Sequence, residues 1–185
     1  MSRDDAQEPA RTKEDLDTFV QAFHYETEML LSQGLLYLDH GREIADDRSE
    51  GKQVVADALL DSILNRLRAF DAFFDPCGKR VEKTDAIASD MANRWESRPT
   101  LRSETRKNIN VRLSHLTYIR PREHAWEIGI MIGEALEAIR DFMHATLVSD
   151  ESRNQLLKSV ESTLDDWGDR NRIHTSQEHG HAFRA

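Results

Sequence analysis

Gly51-Lys-Gln-Val-Val-Ala-Asp-Ala-Leu-Leu60-Asp-Ser-Ile-Leu-Asn-Arg-Leu-Arg-Ala-Phe70-Asp-Ala-Phe-Phe74 is the stretch that decides the fold. Val55, Leu59, Ile63, Leu67, Phe70 and Phe74 recur every three or four residues, a spacing that stacks side chains on one face of an α-helix. The helix must stop at its end. Pro76 cannot donate a backbone hydrogen bond and disfavours helical geometry in the residue before it, and Gly78 follows, so Asp75 to Gly78 reads as a turn.

The same period extends on both sides. Upstream, Leu16, Phe19, Val20, Phe23, Leu30 and Leu31 predict a helix from about 13 to the low 40s, with Thr12 and Asp15 as its capping box and a kink near Gly34. Asp46 to Gly51 is a polar connector. Downstream, Lys79 to Pro99 has few large apolar groups beyond Val81, Ile87, Met91 and Trp95, and predicts a lid-like loop with a short helix near 85–96. Thr100 is placed to cap a third helix over about 101–119. After Pro121 a fourth helix, about 122–147, buries Trp126, Ile130, Ile132, Leu136, Ile139 and Phe142, with Gly129 and Gly133 leaving room for a neighbour. A short fifth helix, about 150–167, carries Leu156, Leu157, Val160, Leu164 and Trp167 and is expected to end at Gly168.

The fold class is therefore all-α: a compact, up-and-down-like bundle of four main helices plus a short C-terminal helix. Eight Gly, four Pro and 32% charged residues in 185 suit solvated helical faces better than a turn-rich β fold. One domain over 12–167 is expected, between a polar N-terminal tail at 1–11 and a polar, His-bearing C-terminal tail at 168–185.

Composition narrows the function classes. A formal charge of −9 argues against nonspecific wrapping of nucleic acid. Cys77 alone can form neither an intrachain disulfide nor a thiolate metal cage. The chain lacks both a membrane-spanning apolar run and a signal-peptide core at its start, so a cytoplasmic protein is expected. No cofactor is implied. Asp141 and His144 have helical three-residue spacing, yet no Glu-x-x-His falls within the bundle, so a di-metal site is not expected; His179 and His181 would make a poor metal site. A Gly-x-Ser-x-Gly nucleophile motif and a phosphate-binding glycine loop are also lacking.

One segment runs against the acidic trend. Arg94 to Arg122 holds Arg94, Arg98, Arg102, Arg106, Lys107, Arg112, Arg120 and Arg122 against Glu96 and Glu104 in its helical part. An anionic ligand would be held by Arg106, Lys107 and Arg120; alternatively, the segment neutralises the acidic helices around it. On the third helix Asn108, Arg112 and His115 gather within about 60° of one another, beside the apolar stripe of Ile109, Leu113 and Leu116. A histidine that exchanges protons, a guanidinium that grips phosphate and an orienting amide are the minimum for metal-free RNA cleavage. The alternative is a packing histidine.

The succession Arg66-Leu-Arg-Ala-Phe-Asp-Ala-Phe-Phe74, Asn108-Ile-Asn-Val-Arg-Leu-Ser-His-Leu-Thr-Tyr-Ile-Arg120, Trp126 and the helix ending in Phe142 resembles uncharacterised bacterial helical proteins similar to HEPN domains, over about residues 50–145. That resemblance implies a homodimeric helical bundle from a toxin or defence system. It also implies a metal-independent endoribonuclease whose motif arginine precedes the histidine with four to six residues between them. His115 corresponds to the motif histidine. Asn108, Ile109 and Asn110 stand where the arginine belongs, which leaves that role to Arg112 or Arg106 by substitution. A bundle that keeps the fold without the chemistry, as a regulatory or antitoxin-like interaction protein that meets RNA or a cognate protein, is the other expectation.

Overall fold

The computed structural model describes residues 12–46, 50–76, 86–92, 95–114, 126–146 and 151–177. They form α1 (Lys13–Asp46), α2 (Glu50–Phe74), α3 (Ala88–Met91), α4 (Ser103–Ser114), α5 (Ile128–Ala145) and α6 (Glu151–Gln177). The class is all-α. No helix among these residues is long and apolar enough to cross a membrane. Cys77, His115, Leu116, Arg120, the segment 1–11, and His179 with His181 lie outside the described residues.

Helix α1 begins on the predicted capping box. The Asp15 backbone N–H donates to Thr12 Oγ1 at 3.1 Å, and the Thr12 N–H donates to Asp15 Oδ2 at 2.9 Å, so each residue satisfies a donor that the helix start leaves unpaired. The helix then continues unbroken through Gly34, which serves close approach. A Cβ there would stand 2.6 Å from Ile132 Cδ1 and 3.2 Å from the Trp167 ring, so α5 and α6 close on α1 where the side chain is missing. Trp167 lies over Gly133, where a Cβ would stand at an ordinary contact distance of 3.8 Å, and donates its indole N–H to the Gly129 carbonyl at 2.9 Å.

Helix α1 packs on α2, α5 and α6; α5 packs on α6; α2 also carries α3 and α4. The predicted stripe on α2 is buried only from Ile63 onward: Ile63, Leu67 and Phe74 are fully enclosed with Leu64 beside them and Phe70 is buried, whereas Leu59 is partly buried and Val55, near the helix start, is 57% exposed. Ile132, Leu136 and Ile139 meet the same core from α5. One end of that core is aromatic. Phe73 stands edge-on to Phe142 with centroids 5.0 Å apart, Phe23 lies 5.2 Å from Phe142, and Phe74 lies 5.4 Å from Trp95. Each such pair contributes about 0.5–1.5 kcal/mol beyond its area burial.

Three expectations on element boundaries are corrected. Helix α6 does not end at Gly168 but continues to Gln177; a helical glycine costs only about 1 kcal/mol relative to alanine, less than a stop signal requires without a following proline. Helix α5 begins at Ile128, leaving Trp126 and Glu127 before it. Helix α4 begins at Ser103, so Thr100 is not its cap; its N–H donates instead to Asp71 Oδ1 at 3.1 Å. The described part of the loop after α2 is packed rather than lid-like. Only Ala88–Met91 is helical, Ala92 pairs with Thr146 in an antiparallel bridge, and the Trp95 indole donates to the Phe74 carbonyl at 3.3 Å.

Candidate functional site

Helix α4 carries the described candidates Arg106, Lys107, Asn108 and Arg112, and its own sequence explains little of its stability. Glu104 in the first turn and Arg112 in the last complement the helix dipole, but Asn108 and Asn110 are poor helix formers. Ile109 is its fully buried side chain and Leu113 is partly buried, as the predicted stripe requires. Two arginines supply the remaining attachment, each reaching a pair of aspartates four residues apart on α2 or at the residue that follows it.

The first is Arg106. Its Nη2 donates to Asp71 Oδ1 at 2.9 Å and to Asp75 Oδ2 at 3.0 Å, and its Nε lies 2.6 Å from Asp71 Oδ2, an ion-pair distance at which the N–H does not point along a hydrogen-bond line. Asp71 is 1% exposed, and its Oδ1 also accepts from the Thr100 and Leu101 backbone N–H groups, each at 3.1 Å. Asp75 Oδ1 accepts from Ser97 Oγ at 2.6 Å. The hydrogen bond that Arg106 donates to Asp71 raises the guanidinium above its already high ordinary pKa, against the opposing effect of burial. This carboxylate pair therefore fixes the whole approach from Ser97 to Arg106 onto the end of α2.

The second is Arg112. Its Nε donates to Asp61 Oδ1 at 2.6 Å and its Nη2 to Asp57 Oδ1 at 3.3 Å. Helix α4 thus runs antiparallel to α2. Asp57 and Asp71 stand about 21 Å apart along α2, whereas Arg106 and Arg112 stand about 9 Å apart on α4, so the two side chains splay away from each other. Tyr37 of α1 lies within electrostatic reach: burial raises its phenol above the ordinary value, and the Arg112 charge partly offsets this.

The remaining candidates are less engaged. Lys107 is exposed, and Asn108 is half-buried with no side-chain hydrogen bond among the described residues. One helical turn before Arg112, Asn108 shares its flank of α4, whereas Lys107 lies on another face. Farther back, Arg98 pairs with Asp141 at 2.9 Å and Arg102 stands 3.9 Å from Glu127. Each of the four described arginines of the basic segment faces a carboxylate. Among the described residues, no three His, Cys, Asp or Glu side chains come close enough to share a metal ion.

Sequence reading missed the four aspartates, Asp57, Asp61 and Asp71 of α2 and Asp75 just after it. A signal for one of them was present: Asp71 lies on the Ile63, Leu67, Phe70, Phe74 stripe, where a carboxylate must find a partner or stay out of the core. Compared with known proteins, the chain matches no family model, no curated protein and no solved structure.

Proposed function

We propose that this chain is a HEPN-like helical bundle that works as a non-catalytic interaction or regulatory module, binding a protein partner rather than cleaving RNA. The observation that carries this reading is the pairing of the described arginines of the basic segment: Arg98, Arg102, Arg106 and Arg112 each lie against a carboxylate of α2, of α5 or of a residue flanking one of them. Phosphate recognition requires guanidinium groups whose donors are open to the ligand. Here Arg106 would have to leave a buried carboxylate and Arg112 two partly exposed ones before either could stabilise a phosphorane. The chain's acidic balance points the same way.

The test is incubation of the purified protein with structured and single-stranded RNA in EDTA. The expected result is intact RNA. Cleavage that survives chelation and disappears with His115→Ala would instead establish the metal-independent ribonuclease, with Arg112 and Asn108 as the helpers one and two turns before that histidine.

A further inference from the structure

Helix α4 leans on α2 and leaves a groove between itself and α5. The floor at one end is apolar, made by buried Leu101 and Met131 with partly buried Trp126 beside them, and this part encloses about 280 Å³. The groove continues past Pro99 and Thr100 into a second part of about 360 Å³. Ile130 stands at its edge 46% exposed, an unusual position for a large aliphatic side chain next to an apolar floor.

The rims carry unequal charge. Ile130, Glu134 and Glu137 fall within about 60° of one another on α5 and form one stripe along the groove. Glu134 and Glu137 are exposed and unpaired among the described residues, as is Glu104 on the α4 side. The basic side chains are already answered: Arg98 by Asp141, which also accepts from Arg140 at 3.0 Å, and Arg102 by Glu127 across the mouth. What remains among the described residues is a trough with an apolar floor at one end, polar walls, and unpaired negative charge along its α5 edge. RNA would be repelled by it. A helix with apolar side chains on one face and lysine or arginine beside them would bury the first and neutralise the second.

We infer that the α4–α5 groove docks a basic amphipathic helical segment of a partner protein, with its apolar face over Leu101, Met131 and Ile130 and its cationic residues against Glu134 and Glu137. This rests on the interaction reading above and gives it a surface and a partner chemistry.

The experiment uses the full chain and three labelled probes: a fourteen-residue Leu/Lys peptide with leucines at helical spacing, its Leu/Glu counterpart, and oligo(U). Fluorescence anisotropy is expected to show salt-sensitive binding of the Leu/Lys peptide alone. Glu134→Gln combined with Glu137→Gln should weaken it about tenfold, the sum of two exposed charge pairs of up to about 0.7 kcal/mol each, and Ile130→Ser should weaken it independently. Asp165→Asn with Asp166→Asn, the same charge change on exposed positions of α6 outside the groove, should leave it unchanged. Failure of the Leu/Lys peptide to bind, or equal weakening by the two double substitutions, overturns the groove assignment. RNA cleavage in EDTA would overturn the interaction reading separately, because it is scored without the peptide.

Discussion

Arg106 and Arg112 are the same residue type on the same short helix, each bound to two aspartates four residues apart in the chain, and their side chains are 22% and 21% exposed. Their partners differ. The side chains of Asp71 and Asp75 are 1% and 9% exposed, whereas those of Asp57 and Asp61 are 54% and 45% exposed. The inner pair is withdrawn from solvent and accepts from Arg106, Thr100, Leu101 and Ser97; the outer pair keeps water as an alternative partner. Identical chemistry should therefore have different consequences. Removing one side of the inner clamp strands a desolvated charge, while removing one side of the outer clamp returns the other to solvent.

The largest effect should follow Arg106→Ala, which leaves Asp71 buried without its cation. A loss of about 3–5 kcal/mol is expected, visible in urea unfolding and as a fall in Tm of about 10 °C for a chain of this size. A loss below about 1 kcal/mol would mean that water enters the inner site and the contrast is false. Next, Arg112→Ala should cost no more than about 1 kcal/mol, since both of its aspartates are about half exposed. Raising NaCl to about 1 M, where the screening length falls to about 3 Å, should remove most of that outer contribution and leave the effect of Arg106→Ala intact; parallel salt dependence of the two would erase the distinction.

The smallest effect concerns Tyr37, which reports on the outer clamp. Its folded pKa is raised, first by burial, so stability is fully present below the ordinary value of 10.0 and declines as pH rises from there through the folded value, because the unfolded chain releases the proton first. Tyr37→Phe should remove that decline in alkaline unfolding curves. Because the Arg112 charge lowers the phenol's pKa, Arg112→Ala should move the Tyr37 titration, followed by phenolate absorbance, to still higher pH. A downward movement would place Arg112 elsewhere.

The contrast between the clamps also marks what a sequence can express. Periodicity located α2 and its buried face because Ile63, Leu67, Phe70 and Phe74 repeat locally, and the Thr12–Asp15 cap was legible because both partners lie within one turn. The close approach falls at Gly34, which the sequence suggested only as a kink, because only packing reveals that Ile132 and Trp167 fill the space there. Helix ends were less legible. Gly168 has the residue type of a stop, yet α6 passes through it, since glycine permits a turn without requiring one. On α4 the sequence placed Ile109 and Leu113 on the stripe and Arg112 on the adjoining flank, but it could not say what that flank meets: the partners of Arg106 and Arg112 lie 31 to 55 residues away in the chain. A cluster of arginines reads as an anion site until the carboxylates opposite are known.

The most direct test of the claim that the α4 arginines hold the helix to α2 is a pair of double-mutant cycles by urea unfolding, Asp71→Ala with Arg106→Ala and Asp61→Ala with Arg112→Ala. The account predicts favourable coupling in both, of about 2–3 kcal/mol for the inner pair and below about 1 kcal/mol for the outer. Coupling indistinguishable from zero at Asp71–Arg106 would contradict it.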